Sequence, residues 1–437
     1  MLLSTLGLLV AVTMPWLGSD AWPFMPPDVE PRGIFGPLVR VADEEFDLGI
    51  LRSLALLAGL VAALAGAAVL RRPAWPAAAG IALAALVVAA LIVPATFLQV
   101  GLRDATDPWY HVNDSTYQIE LAGDLVLDGD NPYGHDYDGS GLERFYPAVD
   151  ADPDLRQVAL DHFAYFPGTP LSAAAWRLLP RPLDDYRLFV LLATLGLFVA
   201  ALLFPAPLIW KLPAAAVLAA NPLAVRGSWF GTADAPALLA LVVAFLLLVR
   251  GRLLWAAAAL AVAVSLKQFA LVAVPFMAVM LLTRGTPRRE LWRAAGVFAG
   301  VLFATALPFL IADPQALWDD TIAYGADTYR IVGYGLSALL LNLGALDDRF
   351  GYYPFLPLAV LVWLPVTAWL LLAQRRSGVL WTGAAGFAVS ITLLLWLSRV
   401  FQNSYLIWPV TAVVLASLLA VSRRPSAADT GPSERAG

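Results

Sequence analysis

Long apolar runs, broken by short polar punctuation, dominate the chain. They cover residues 2–17, 48–70, 76–100, 185–205, 212–224, 235–249, 253–266, 268–282, 294–311, 354–373, 379–397 and 404–421. The runs are continuously apolar and do not alternate, so they predict helices and exclude the strands of a membrane barrel. A helix satisfies its own backbone hydrogen bonds, as any segment crossing lipid must. Two further runs are too short to cross. Residues 166–180, FPGTPLSAAAWRLLP, predict a re-entrant segment, which leaves both termini on the inner side. Residues 336–345, LSALLLNLGA, predict a juxtamembrane helix on the outer face. No basic residue precedes the run 2–17 and no clear small-residue cleavage site follows it, so it reads as a retained first span in preference to a cleaved signal peptide.

Basic residues orient the spans. Arg71-Arg72, Lys211, Arg250 with Arg252, Arg284 with Arg288, Arg289 and Arg293, Arg375-Arg376 and Arg423-Arg424 fall between runs on one side, which is then cytoplasmic. Residues 18–47, 101–184, 225–234, 312–353 and 398–403 face outside. The expected fold is an all-α polytopic membrane protein of about 11–13 spans. Residues 1–75 form an N-terminal pair of spans with an outer loop, 76–421 the main transmembrane domain, and 422–437 a disordered cytoplasmic tail. The expected location is a membrane, with the long loop outside.

Composition agrees: 60% of residues are hydrophobic and 14% charged, against about 25% charged in soluble domains. The chain has no cysteine, which excludes disulfides and thiol chemistry. A net charge of -5 gives no argument for nucleic-acid binding. The charge is unevenly placed, however. Residues 101–170 hold 14 of the 33 acidic residues and all three histidines, but only three of the 28 basic ones. The candidate chemistry therefore lies in one acidic outer loop.

Within that loop, residues 115–128 fit an amphipathic helix with Tyr117, Leu121 and Leu125 on one face and Gly129 as its stop. Ser115 and Gln118 have the spacing of a capping box. Asp114 then has two readings: a helix-start acid that favours the dipole, or a general base at the membrane surface. Asn131-Pro132-Tyr133 suits a turn after the helix. His162 reads as a second acid–base group, as a phosphate partner, or as a solvated loop histidine. Asp136-Tyr-Asp138-Gly-Ser140-Gly141 resembles the start of a calcium loop, but Pro147 stands where the ligand Glu belongs. Asp150-Ala-Asp152 has a metal–nucleotide-sugar spacing on the side where nucleotide sugars are absent, so it reads as a polar turn. Lys267, inside AVAVSLKQFALVAVP, faces a cavity or partner, or snorkels to the outer interface. Arg399 stands at an outer span end, in Leu397-Ser-Arg-Val-Phe-Gln402. Arg226 and Asp234 flank the short outer loop RGSWFGTAD. No Walker A loop and no HExxH are present. An enzyme outside the cell has no nucleotide donor and needs an activated one delivered through lipid.

These pieces, in this order, resemble the GT-C superfamily of polyprenyl-phosphate-sugar-dependent glycosyltransferases, most closely the bacterial α-mannosyltransferases of glycosyltransferase family 87. The resemblance covers roughly residues 76–421. It rests on Asp114 with Tyr117, on Gly129-x-Asn131-Pro132-Tyr133, on Tyr165-Phe-Pro167, on Asn221-Pro222 before Gly231-x-x-Asp234, and on Lys267. The family often has Tyr-Pro-Pro where this chain has Tyr165-Phe-Pro-Gly, and Gly-Gln where it has Gly231-Thr. Two extra spans precede the outer loop. The resemblance implies an inverting transfer of a hexose, mannose first, from a polyprenyl-phosphate donor to a glycolipid or envelope glycan. Asp114 and His162 would be catalytic, and Lys267 and Arg399 would bind the donor phosphate. Tyr117, Asn131, Tyr133, Tyr165, Asp234 and Gln402 would bind substrate. It implies no metal and no cofactor. A transporter of lipid-linked sugars and a non-catalytic envelope assembly protein are the rival readings; neither needs an acid at a helix start.

Overall fold

The computed structural model describes residues 41–42, 45–46, 57–61, 64–65, 77–106, 112–145, 160–328 and 330–422. The predicted span 2–17, most of 48–70, the tail from 423, His111, Pro147 and the acids 150–154 lie outside these residues.

The described chain is nearly all helix. α1 is Ala77–Thr106, α2 Asp114–Asp128, α3 Gly168–Arg177, α4 Tyr186–Leu202, α5 Leu208–Ala220 and α6 Pro222–Arg226. α7 is Asp234–Val249, α8 Leu253–Leu266, α9 Ala273–Thr283, α10 Arg288–Ala312 and α11 Pro314–Trp318. α12 is Leu336–Asn342, α13 Phe355–Ser377, α14 Leu380–Leu397 and α15 Ile407–Val421. Four two-residue strands complete it: β1 (Val41–Ala42) pairs antiparallel with β2 (Glu45–Phe46), and β3 (Val332–Gly333) parallel with β4 (Val400–Phe401).

Every apolar run predicted from residue 76 onward is helical, but not every one is long enough to cross. Among the described residues, five helices are long and apolar enough to span a membrane, or six if the bent pair Leu208–Ala220 and Pro222–Gly231 counts as one span. That fits a multi-pass membrane protein with fewer full-length spans, among the described residues, than the 11–13 expected. Tyr186–Leu202, Asp234–Val249, Leu253–Leu266 and Gln268–Thr283 are shorter. At 1.5 Å rise per residue, a 14-residue helix such as α8 reaches about 21 Å, short of a ~30 Å hydrocarbon core. Breaks explain the shortfall. Asn221 caps α6 through its Oδ1, which accepts from Leu223 N and Ala224 N, and the chain bends by 42° there. Lys267 takes an extended conformation (φ -151°, ψ 122°) between α8 and a 3-10 turn at Gln268–Val272.

Two hydrophobic cores form. The larger is built from α1, α4, α5, α7 to α9, α14 and α15. The second is rich in aromatics and lies under the acidic loop. It joins Val112, Tyr117, Ile119, Tyr133, Tyr137, Leu142 and Phe163 to Ala173, Tyr186, Ala235 and Phe309. The predicted long loop is thus a packed layer on the helical bundle. α3, predicted to be re-entrant, packs along α2, with Arg177 Nε donating to Asp124 Oδ1 at 2.8 Å.

α2 itself differs from the expectation in two ways. Its cap is Asn113, whose Oδ1 accepts from Ser115 N at 3.0 Å. Gln118, expected in the capping box, instead donates to the His162 carbonyl at 2.9 Å. The buried side of the helix is also broader than the single Tyr117–Leu121–Leu125 face. Thr116, Ile119 and Ala122 are fully buried, along with Tyr117 and Glu120, while Leu121 and Leu125 are only partly covered. Protein surrounds its first two turns because α3, α4 and the 226–231 segment all pack there.

Candidate functional site

The N-terminus of α2 docks onto the short loop after α6. Asn113 N donates to Phe230 O at 2.9 Å, and the Thr116 hydroxyl donates to Gly231 O. Gly231 has φ 94°, and a Cβ there would stand 2.5 Å from Thr116 Oγ1 and 3.0 Å from Arg187 Cγ, so the close approach requires glycine. Asp114 is half-buried in the first turn, and its Oδ1 accepts from Ser115 N at 2.8 Å. The Arg226 guanidinium lies 5.1 Å from the Phe230 ring centroid.

Three residues after Gly231 the chain reaches Asp234, the first residue of α7. Its Oδ1 accepts from Trp408 Nε1 at 2.8 Å and lies 3.7 Å from Lys267 Nζ. The longer distance makes an ion pair but not a hydrogen bond. Lys267 Nζ also stands 4.6 Å from the Tyr165 ring centroid, 5.5 Å from Phe269 and 5.8 Å from Tyr405, within reach of cation–π attraction. Lys267 therefore does not snorkel: it is 6% exposed, inside an aromatic enclosure with one carboxylate. The Lys267 backbone still bonds Ala263 O (3.0 Å) and Ala270 N (3.1 Å) at the break, and Gln268 Nε2 holds the neighbouring segment through Ala164 O at 3.2 Å. Gln402 begins the Asn403–Leu406 turn that carries Tyr405 to the lysine.

Tyr165 joins this enclosure to the acidic loop, since its carbonyl accepts from Tyr133 Oη at 2.8 Å. Burial holds the hydroxyls of Tyr133 and Tyr137 above their usual pKa, and nearby Asp320 adds to it. His162 Nδ1 lies 2.7 Å from Asp320 Oδ1. Asp320 Oδ2 accepts from Gly134 N at 2.9 Å and Phe163 N at 3.1 Å. Thus Asp234, Lys267, Tyr165, Tyr133 and His162 belong to one continuous set of contacts.

Other sequence candidates lie apart. Tyr117 Oη donates to Ser140 O at 3.0 Å within the second core. Asn131 Oδ1 accepts from Tyr133 N at 3.2 Å and closes a turn. Arg399 is 2% exposed, and its guanidinium donates to the carbonyls of Gly351 and Arg349 at 3.2 and 3.3 Å. It holds the 349–351 segment beside Tyr353, whose hydroxyl burial pushes up to about 12 against the opposing pull of Arg399. Asp136 accepts from Asp138 N at 2.8 Å in a local turn, and no group of three or more metal-ligating side chains gathers among the described residues.

Two features of the site carry no signal in the sequence. One is Asp320, which has no motif around it. The other is a chain of buried charges, Glu120–Arg103–Asp185–Arg187. Arg103 donates to Glu120 Oε2 at 2.5 Å and to Asp185 Oδ2 at 3.0 Å, and Arg187 Nη2 donates to Asp185 Oδ2 at 2.6 Å. Burial alone would lower the Arg103 pKa, but Glu120 and Asp185 outweigh it and hold the guanidinium above its usual range. This chain ties the end of α1 and the middle of α2 to the start of α4. It also borders a cleft of about 270 Å³ lined by Arg103, Asp104, Arg177, Arg181 and Asp184. An acid and a base far apart in sequence carry no sign of each other, so only the fold reveals the pair.

No protein-family model matches this chain, and neither a characterised protein nor a solved structure does.

Proposed function

We propose that this protein is an integral membrane glycosyltransferase that moves a hexose, mannose first, from a polyprenyl-phosphate donor to a glycolipid or envelope-glycan acceptor on the outer face. The observation that carries the reading is the 226–234 loop. One end holds the helix that begins at Asp114, through Asn113 N and Phe230 O (2.9 Å). The other end presents Asp234 to the buried ammonium of Lys267 (3.7 Å). A carboxylate able to accept a proton and a cation able to balance a phosphate are thereby attached to one short segment.

In this reading Asp114 takes the proton of the acceptor hydroxyl. The hydroxyl oxygen bonds to the anomeric carbon with inversion as the bond to the phosphate oxygen breaks. The phosphate leaves with one more negative charge than it had in the donor. Lys267 balances that charge, because its loose contact with Asp234 leaves N–H donors for an anion. Its low exposure makes the interaction stronger than it would be in water. Tyr165, Phe269 and Tyr405 surround the ammonium. Arg399, occupied with backbone carbonyls, is not given a part.

The test is Asp114→Asn in purified protein given a labelled polyprenyl-phosphate mannose, without nucleotide or divalent metal. Asn keeps the size and the capping ability but removes the base. A fall in turnover of at least about 10²-fold with unchanged donor binding is expected. Retention of more than about a tenth of the wild-type rate would reduce Asp114 to a helix-start acid, worth about 0.5–2 kcal/mol of stability.

A further inference from the structure

We propose that Asp320 is a positioning residue for His162, and that the pair forms an imidazole–carboxylate dyad whose outward nitrogen accepts a proton beside the Asp114 face of α2. The substrate in this proposal rests on the transfer reading above; the dyad itself rests on geometry. Asp320 is 2% exposed, and its two oxygens divide their work. Oδ1 faces His162 Nδ1 at 2.7 Å, while Oδ2 is fixed by the backbone N–H groups of Gly134 and Phe163. A buried carboxylate held by two backbone donors cannot follow the imidazole, so the imidazole follows it. An imidazole paired through Nδ1 with a carboxylate keeps its proton on that nitrogen, which leaves Nε2 as the acceptor. The Tyr324 ring, 4.5 Å from the imidazole centroid, restrains the ring from one side.

Placement points the same way. Asp114 and Gln118 stand four residues apart on one helix face. Gln118 Nε2 donates to the His162 backbone carbonyl at 2.9 Å, so the helix that begins at Asp114 holds the segment that carries the imidazole. The imidazole side chain is 27% exposed, against 2% for the Asp320 side chain, so a proton on Nε2 has a way out. The remaining charged groups at this corner are Asp161, Asp136 and Asp138. The Asp161 carboxyl is held above its usual range by burial first and then by Asp136, with His162 opposing. Tyr133 and Tyr137 remain neutral because burial raises both. An acidic corner repels a phosphate, which assigns proton transfer to this dyad and the lipid phosphate to Lys267. The balance closes. Asp114 takes the proton of the acceptor hydroxyl as the hydroxyl oxygen bonds to the anomeric carbon and the bond to the phosphate oxygen breaks. The dyad then relieves Asp114 of that proton through His162 Nε2 and passes it to the outer solution.

The experiment combines two readouts on the full chain in detergent or vesicles. The first is the ¹⁵N imidazole spectrum, with His162 identified by its loss in His162→Gln. Wild type should show neutral His162 protonated at Nδ1. Asp320→Asn should abolish that preference. The second is turnover of polyprenyl-phosphate mannose. Asp320→Asn and His162→Gln should each lower kcat by about 10²-fold, with the donor KM changed less than about threefold. The double variant should be no slower than His162→Gln, because Asp320 acts only through the histidine. Losses that multiply in the double variant would make Asp320 a structural clasp and overturn the proposal. So would neutral His162 protonated at Nε2 in the wild type, a result that decides the matter even if Asp320→Asn does not fold. If the wild type transfers no sugar, the transfer reading falls alone and the tautomer decides the dyad.

Discussion

Lys267 Nζ lies 3.7 Å from Asp234 Oδ1, and both residues are more than nine-tenths buried. At an effective dielectric of about 20, a pair at this distance is attracted by roughly 4 kcal/mol, while desolvation costs several kcal/mol per ion. The pair therefore gives little net stability. Replacing it by apolar side chains would hold α7 and α8 together as well. A charge pair kept at a helix break, with aromatic rings on the cation, is suited to receiving another charge.

This has a measurable consequence. Lys267→Met or Asp234→Asn alone leaves one buried charge without its partner and should cost about 3–5 kcal/mol. The double variant should be more stable than either single one in thermal unfolding, yet should recover no transfer activity. A double variant less stable than both singles would show that the pair is a net stabiliser.

Acid sensitivity follows from Asp185. Burial alone would raise its carboxyl pKa, but Arg187 and Arg103 hold it well below the usual carboxylate range. A depressed folded pKa stabilises the fold above the unfolded value of about 3.9 and loses that stabilisation as pH falls toward the folded one. The unfolding temperature should be flat in this respect above about pH 4 and should drop below it. Arg103→Met should lower it at neutral pH, because Glu120 and Asp185 then face each other across a lost cation. Equal stability of Arg103→Met and wild type at neutral pH would remove the charge chain from the account.

Two glycines separate backbone strain from crowding. Gly129 has φ 88° with nothing within 4 Å of an added Cβ. Gly231 has φ 94° with Thr116 and Arg187 in the way. Gly129→Ala should cost only the left-handed penalty of about 1–2 kcal/mol. Gly231→Ala should cost more and should lower turnover by displacing α2 from the loop that carries Asp234. Equal effects of the two substitutions on both readouts would mean that the Thr116–Gly231 contact does not position the site.

Orientation is open to a direct experiment because the native chain has no cysteine. Asp138 and Ser377 are both exposed, and the basic residues between runs put them on opposite sides. With Cys at each position in turn, an impermeant thiol reagent on intact cells should label 138 and spare 377. The reverse pattern would move the acidic layer inside and end the case for a lipid-delivered donor.

Much of this molecule was legible without coordinates. The apolar runs determined the helices, since continuous hydrophobicity at these lengths leaves no other way to satisfy the backbone in lipid. Asp114 and Gly129 marked α2 because helix starts and stops depend on residues adjacent in sequence. Lys267 was conspicuous because a lone charge in an apolar run needs a partner. Its partner was beyond reach. Asp234 and three aromatic rings meet that ammonium only because α8 breaks at Lys267 and α7, α15 and the Tyr165 segment converge there. The same holds for Asp320, 158 residues from His162, and for Arg103 between Glu120 and Asp185. Tertiary packing also chose the buried face of α2 and committed Arg399 to backbone carbonyls. Local sequence fixes where a helix begins and how apolar it is; which charges then face each other depends on how helices far apart in the chain pack, and no nearby residue encodes that.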